Sequence, residues 1–273
     1  MSVKPAVPLL AALALAGGLA AAEPAPAPVA AAFKPGVTTE YVVKLPASLQ
    51  ELAAGGAGRK APATRALCAV ALPAGFDPVR PWPVLVVSAT TSGRGAVSSR
   101  RALARFSGPA LAAGWVVVAA DPDQPVTLEQ DTNGLRYALI KAALAGLNLE
   151  WPDFPRWPVA FGGFSGGAKR SAWMAALYVL DGQRPVGVFQ GGCNEPTMAL
   201  ALENYRPDPR TFQAIPVFLS SGDQDPVATP EQQHDSCREL QQAGFKRVRL
   251  ETYLGAHELN AAQVTAALQW FRP

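Results

Sequence analysis

A serine set between glycines is the feature of this chain best suited to chemistry. In Gly163-Phe164-Ser165-Gly166-Gly167 a glycine stands two places before the serine and another two places after it, giving G-x-S-x-G. That spacing suits a nucleophile on a tight strand-to-helix turn, because side chains at those positions would collide with the strand, the helix or the substrate. Ser165 is the candidate nucleophile. A serine hydroxyl attacks a carbonyl only when a base takes its proton, and histidine, with an unperturbed pKa of about 6.5, is the usual base. The chain has two histidines. His257, in Leu254-Gly255-Ala256-His257-Glu258-Leu259, lies between a strand-like and a helix-like run, whereas His234, in Gln232-Gln233-His234-Asp235, falls on the solvated face of an amphipathic helix. His257 is the candidate base.

A carboxylate is then needed to orient the imidazole and stabilise its positive form. Ser221-Gly222-Asp223-Gln224-Asp225-Pro226 follows a strand-like run and offers two. Asp225 is preferred; Asp223, nearer the strand, has the position of an aspartate that bonds turn amides. Glu195, in Cys193-Asn194-Glu195-Pro196, is a further alternative. The negative oxygen of a tetrahedral intermediate needs amide donors. Gly166 N–H, next after the nucleophile at a helix start, is the first. The second is expected from Ser88-Ala89-Thr90-Thr91-Ser92-Gly93, with Thr90 preferred and Ala89 and Thr91 as alternatives.

Residues so far apart in sequence meet only if a regular scaffold brings them to one edge. The runs at 84–87 and 115–120 are wholly apolar and rich in valine, as central strands buried on both faces require. Further strands are expected at 38–45, 65–72, 157–161, 186–189, 216–220 and 248–253, and helices at 101–113, 131–149, 166–180, 229–243 and 259–271. The stretch 53–63 reads as a Gly/Pro-containing loop joining an N-terminal hairpin. This alternation implies an α/β fold: a mainly parallel sheet with helices on both faces and the antiparallel hairpin at one edge. In such sheets the ligand site lies at the carboxyl ends of the strands, which is where Ser165, Asp225 and His257 fall.

With Ser, Asp and His in that order, each after a strand, the chain from residue 37 to its end resembles the α/β-hydrolase superfamily. The resemblance implies a Ser165–His257–Asp225 triad, an oxyanion site at Gly166 and Thr90, and hydrolysis of a carboxylic ester without cofactor or metal. Peptide cleavage by the same triad, or a non-catalytic binding protein of the same shape, are the alternatives. Chain length and layout are similar to the polyhydroxybutyrate-depolymerase, feruloyl-esterase and dienelactone-hydrolase-like groups. The chain departs from many relatives at Ser88-Ala89, where a His-Gly pair is common. Only a short helix and loop fit between Phe189 and Pro216, so no large lid is expected.

Composition agrees with one such domain: of 273 residues, 49% are hydrophobic and 16% charged, enough for a substantial core. Lys4 precedes an apolar run at 7–22 that ends in Ala20-Ala21-Ala22, the form of a secretory signal cleaved before Glu23. The run is shorter than the roughly 20 residues that span a bilayer, so no span is expected in the mature protein, which would be secreted or periplasmic. A Pro/Ala linker at 23–36 and the domain at 37–273 follow. A net charge of +3 is too small to imply a nucleic-acid partner. Gly93-Arg94-Gly95 lacks the third glycine of a dinucleotide fingerprint and the lysine of a phosphate loop. Cys68, Cys193 and Cys237 make no C-x-x-C metal pattern; Cys193 with Cys237 is the favoured disulfide, and inert buried thiols are the alternative. Trp151, Phe154 and Trp157 are expected to pack rather than bind. Asp121 and Asp123 are expected either to cap and turn the chain or to touch substrate, and Arg94, Arg100 and Arg101 to start a solvated helix, with preference for an acidic substrate as the alternative.

Overall fold

The computed structural model describes residues 33–92, 95–96 and 98–272. The signal segment, most of the linker and Arg94 lie outside those residues. Eight strands form one sheet: β1 Thr38–Lys44, β2 Arg65–Ala71, β3 Val84–Ser88, β4 Val116–Pro122, β5 Val159–Phe164, β6 Gly187–Gly191, β7 Val217–Gly222 and β8 Val248–Tyr253. Their spatial order is β1-β2-β4-β3-β5-β6-β7-β8. β2 is antiparallel to both β1 and β4, and the remaining neighbours are parallel. The antiparallel pair therefore forms one edge, as expected. The helices are α1 Ala47–Ala54, α2 Ser99–Ala112, α3 Asn133–Glu150, α4 Gly166–Leu180, α5 Thr197–Tyr205, α6 Pro209–Phe212, α7 Pro230–Gln242 and α8 Ala261–Trp270.

The chain leaves β3 toward β4 on one side and reaches β5 on the other, so β3 and β5 are neighbours whose connections diverge. A crevice opens at the carboxyl ends of such a pair. The register pairs Ser88 with Gly163 there, and Phe164 with Gly191 on the far side of β5. Alternation along β3 explains its wholly apolar sequence. Val84 and Val86 face Leu135, Leu139, Ala172 and Met174 of α3 and α4, while Leu85 and Val87 face Leu103, Phe106, Val264 and Leu268 of α2 and α8. β8 at the opposite edge is only half-buried.

Some elements differ from expectation. α1 lies within what reads as the β1–β2 connection; it buries Leu49 and Ala53 and ends at Gly55, whose φ of 73° is left-handed. β5 runs on to Phe164 instead of stopping at Phe161, because Gly162 and Gly163 are sites of close contact and not a turn. All three cysteines are free thiols, so the Cys193–Cys237 bridge does not form. Cys193 Sγ turns instead into its own loop, donating to Glu195 O at 3.3 Å and lying 3.7 Å from Thr197 Oγ1. Trp151 and Trp157 stack at 5.5 Å beside Phe76 and Phe154, all but Phe76 buried, at the amino end of β5 and away from Ser165. They pack, as expected.

Phe189 of β6 joins the two halves of the α2/α8 face, meeting Phe106 edge-on at 5.9 Å and stacking on Phe218 at 6.0 Å. Phe189→Ala should cost about 3–5 kcal/mol, the range for a buried aromatic lost from a core, read as a lower urea midpoint with little change in slope. A midpoint equal to the parent's would mean this face does not hold the sheet.

Candidate active site

Ser165 lies between β5 and α4 with φ 56° and ψ −126°, a region that a residue with a Cβ adopts only under constraint and at about 1–3 kcal/mol. The neighbours supply that constraint. A Cβ on Gly163 would lie 2.2 Å from the Gly167 carbonyl, and one on Gly167 would lie 2.3 Å from Ser88 O. Both glycines are needed because the first turn of α4 is pressed against the ends of β5 and β3. Ser165 N–H donates to Gly191 O at 2.8 Å, and its carbonyl accepts from Ala168 N at 2.9 Å. Ser165 itself is half-buried. The amides of Gly166 and Gly167 begin α4, where a helix has no carbonyl of its own to offer them and carries partial positive charge.

The loops after β7 and β8 bring Asp225 and His257 together. Asp225 is 2% exposed. Its Oδ1 accepts from the amides of Val227 and Ala228, each at 2.8 Å, and its Oδ2 is 2.8 Å from His257 Nδ1. Burial alone would raise the Asp225 carboxyl; the Ala228 amide, His257 and the Val227 amide outweigh it and hold the group below its ordinary value. An ionised carboxylate can only accept, so in the neutral imidazole Nδ1 carries the proton and Nε2 keeps its lone pair. The imidazole lies 4.7 Å from the Phe164 ring, centroid to centroid, and a Cβ on Gly192 would be 3.0 Å from its Cε1. Phe164 precedes Ser165, and Gly191, before Gly192, accepts the Ser165 amide. Ser165 and His257 thus share one patch at the strand ends.

The alternatives have other partners. Asp223 is exposed and accepts from Gly255 N at 3.0 Å, the turn role expected of it. Glu195 pairs with Lys169, and His234 is exposed on α7. Asp123 accepts from Thr64 N at 3.3 Å and Arg65 Nε at 3.0 Å, while Asp121 caps α2 through Ser99 N at 2.7 Å; neither is placed on the Ser165 patch. Arg100 starts α2 and pairs with Glu40 and Asp121. For the oxyanion, Thr90 Oγ1 would lie 1.9 Å from a Cβ on Gly166, so Thr90 and Gly166 face one another. The Ala89 amide donates to Ser99 Oγ at 3.3 Å. One contributor escaped the sequence reading: the Tyr253 hydroxyl at the end of β8 donates to the carbonyls of Ala256 and Glu258, the two residues that flank His257.

No family model matches the sequence, and no curated protein matches it. Solved structures do. A bacterial heroin esterase superposes with a TM-score of 0.58 at 15% identity, over 88% of this chain and 86% of its own. The lid-less α/β serine hydrolase of Xanthomonas campestris gives 0.54 at 18%, over 77% and 89%. A cold-adapted esterase from an Arctic intertidal metagenomic library also gives 0.54, at 14%, over 87% and 94%. The chain has the α/β-hydrolase fold. In an α/β-hydrolase the G-x-S-x-G serine sits on a sharp strand-to-helix turn above the sheet, with oxyanion amides from the residue after it and from the loop after the third strand. Ser165, Gly166 and Thr90 occupy those places. Between β6 and β7 only α5 and α6 intervene, so the described residues include no large lid. A concavity of 390 Å³ bordered by Tyr137, Lys141, Val159 and Asp181 lies at the opposite end of β5 and contains no such constellation. No described helix is long and apolar enough to cross a membrane.

Because the Asp225 carboxyl titrates below its unfolded value of about 3.9, an unfolding chain takes up its proton first. The stabilisation is complete above the unfolded pKa and lost as pH falls through the folded one. Urea midpoints measured from pH 7 to pH 2 should therefore fall less steeply on the acid side for Asp225→Asn than for the parent. Parallel acid limbs would mean that the carboxylate is not held ionised by these bonds.

Proposed function

We propose that the protein is an exported serine hydrolase that cleaves carboxylic esters with Ser165 as nucleophile, His257 as base and Asp225 as its orienting acid. The observation that carries this reading is the 2.8 Å bond between His257 Nδ1 and a buried Asp225, on the same patch as a strained serine. Ser165 Oγ attacks the ester carbonyl carbon while His257 Nε2 takes its proton, and the carbonyl oxygen becomes an oxyanion facing the amides of Gly166 and Thr90. Collapse expels the alcohol, which takes the proton from His257. Water, deprotonated by His257, then attacks the acyl-enzyme and restores Ser165. Esters are preferred to peptides as substrates because two of the structural neighbours are named esterases and an ester carbonyl, less stabilised by resonance than an amide, is the easier one to attack. The signal-like segment at 1–22 supports export, with a mature chain beginning at Glu23.

Purified protein should be labelled by a fluorophosphonate at Ser165 and should hydrolyse a short-chain nitrophenyl ester; Ser165→Ala should abolish both. Asp225→Asn should lower kcat by about 10⁴-fold, the scale of losing the orienting carboxylate, whereas Asp223→Asn should stay within about threefold. An unlabelled parent would sink the reading, and a crippling Asp223→Asn would reassign the acid.

A further inference from the structure

Behind the candidate site lies a chain of buried polar groups that the hydrolytic mechanism does not itself use. Asp121, at the end of β4, accepts at Oδ1 from Ser99 N at 2.7 Å and from Arg136 at 3.0 Å, and at Oδ2 from Ser98 Oγ at 2.6 Å and Arg100 N at 3.1 Å. Arg136 also reaches Asp131 at 2.5 Å, and Asp131 accepts from Arg170 at 2.9 Å. Arg170 is on α4, a little more than a turn beyond Ser165. Asp121, Asp131, Arg136 and Arg170 are all buried. Ion pairs this deep add little net stability over apolar packing, since desolvation offsets their attraction. What they do supply is a fixed position for each group.

Ser99 is held from two sides. Its backbone is held by Asp121, it is 3% exposed, and its hydroxyl accepts the Ala89 amide at 3.3 Å. The carbonyl of that same peptide unit, Ser88 C=O, is pressed against Gly167, where a Cβ would come within 2.3 Å. The Ser88–Ala89 peptide is thus fixed along both edges, by α2 on one side and by the elbow helix on the other. The φ and ψ of Ala89 alone then separate this plane from the next, which carries the Thr90 N–H, so fixing the first plane sets where the second begins. We propose that Ser99, held by Asp121, is a positioning residue that aims the second oxyanion donor through the Ala89 amide. This rests on the ester-hydrolase reading above.

A donor that is misaimed weakens the transition state more than the bound ester. The test compares Ser99→Ala, Ser99→Thr and Ser99→Val with the parent in nitrophenyl-ester kinetics, in thermal melts and in inhibition by a trifluoromethyl ketone. That ketone adds Ser165 Oγ to its carbonyl carbon, so its carbonyl oxygen becomes the bound oxyanion. Ser99→Ala should lower kcat by about 10–100-fold with KM within about twofold, and weaken the ketone by the factor lost in kcat/KM. Thr and Val have the same shape and differ in the hydroxyl. Ser99→Thr should recover kcat to within about threefold of the parent while Ser99→Val falls with Ser99→Ala. Folded Ala or Val variants with parental kcat and ketone affinity would overturn the proposal, as would a Thr variant as slow as Val. A parent that labels at Ser165 while these variants are unchanged sinks only the role of Ser99; a parent that neither labels nor turns over sinks the ester reading with it.

Discussion

The close approach of α4 to the ends of β3 and β5 is the contact on which the other features of the candidate site depend. It exists only because Gly163 and Gly167 carry no Cβ: one would strike the Gly167 carbonyl and the other Ser88 O, at 2.2 and 2.3 Å. From that contact follow the φ of 56° at Ser165, the presentation of the Gly166 amide, and the edge against which the Ser88–Ala89 peptide rests. A sheet whose strands diverge at β3 and β5 makes the crevice. The glycines let a helix enter it far enough for its first turn to become part of the site.

Strain at one residue persists only where the surroundings overdetermine it. Here two kinds of material do so. Apolar packing on both faces of β3, β4 and β5 fixes the strands, with side chains such as Leu85, Val118 and Phe161 fully enclosed. At the carboxyl ends, where packing gives way to polar chemistry, charged pairs take over. Burial would raise the Asp131 carboxyl, but Arg136 and Arg170 outweigh it and keep the group below its ordinary value, hence ionised. Asp225 is held in the same sense by two amides and His257. Both carboxylates orient other groups while remaining out of solvent.

Most of the fold could be read from the chain because its central strands are enclosed on both faces, and enclosure leaves an unbroken apolar run such as Val84-Leu85-Val86-Val87. Two misreadings share one physical origin: glycine signals both a turn and a close approach. Gly162 and Gly163 lie inside β5, and Gly55 ends a helix that the loop-like composition around it conceals. The Asp225–His257 contact and the tight turn at Ser165 were legible because chemistry limits which residue types suit such a site. Ser99 and Tyr253 were not. Their part is defined by hydrogen bonds to the backbone of other residues, Ala89 in one case and Ala256 and Glu258 in the other, and no residue type announces such a bond. The Cys193–Cys237 pairing failed for a related reason, since proximity to strand ends says nothing about where a thiol points.

β8 is the edge strand farthest from β1, bonded on one side only and half-buried along its length. The imidazole hangs from the loop that follows it, while the serine hangs from a central strand. Edges of a sheet open at lower free energy than its middle, because fewer contacts must break. Ser165 and His257 therefore belong to parts of the molecule with different local stabilities. On warming, the loop that carries His257 should therefore lose its place while the central strands are still paired, and amide exchange along β8 rather than the global melt would report the temperature at which it does.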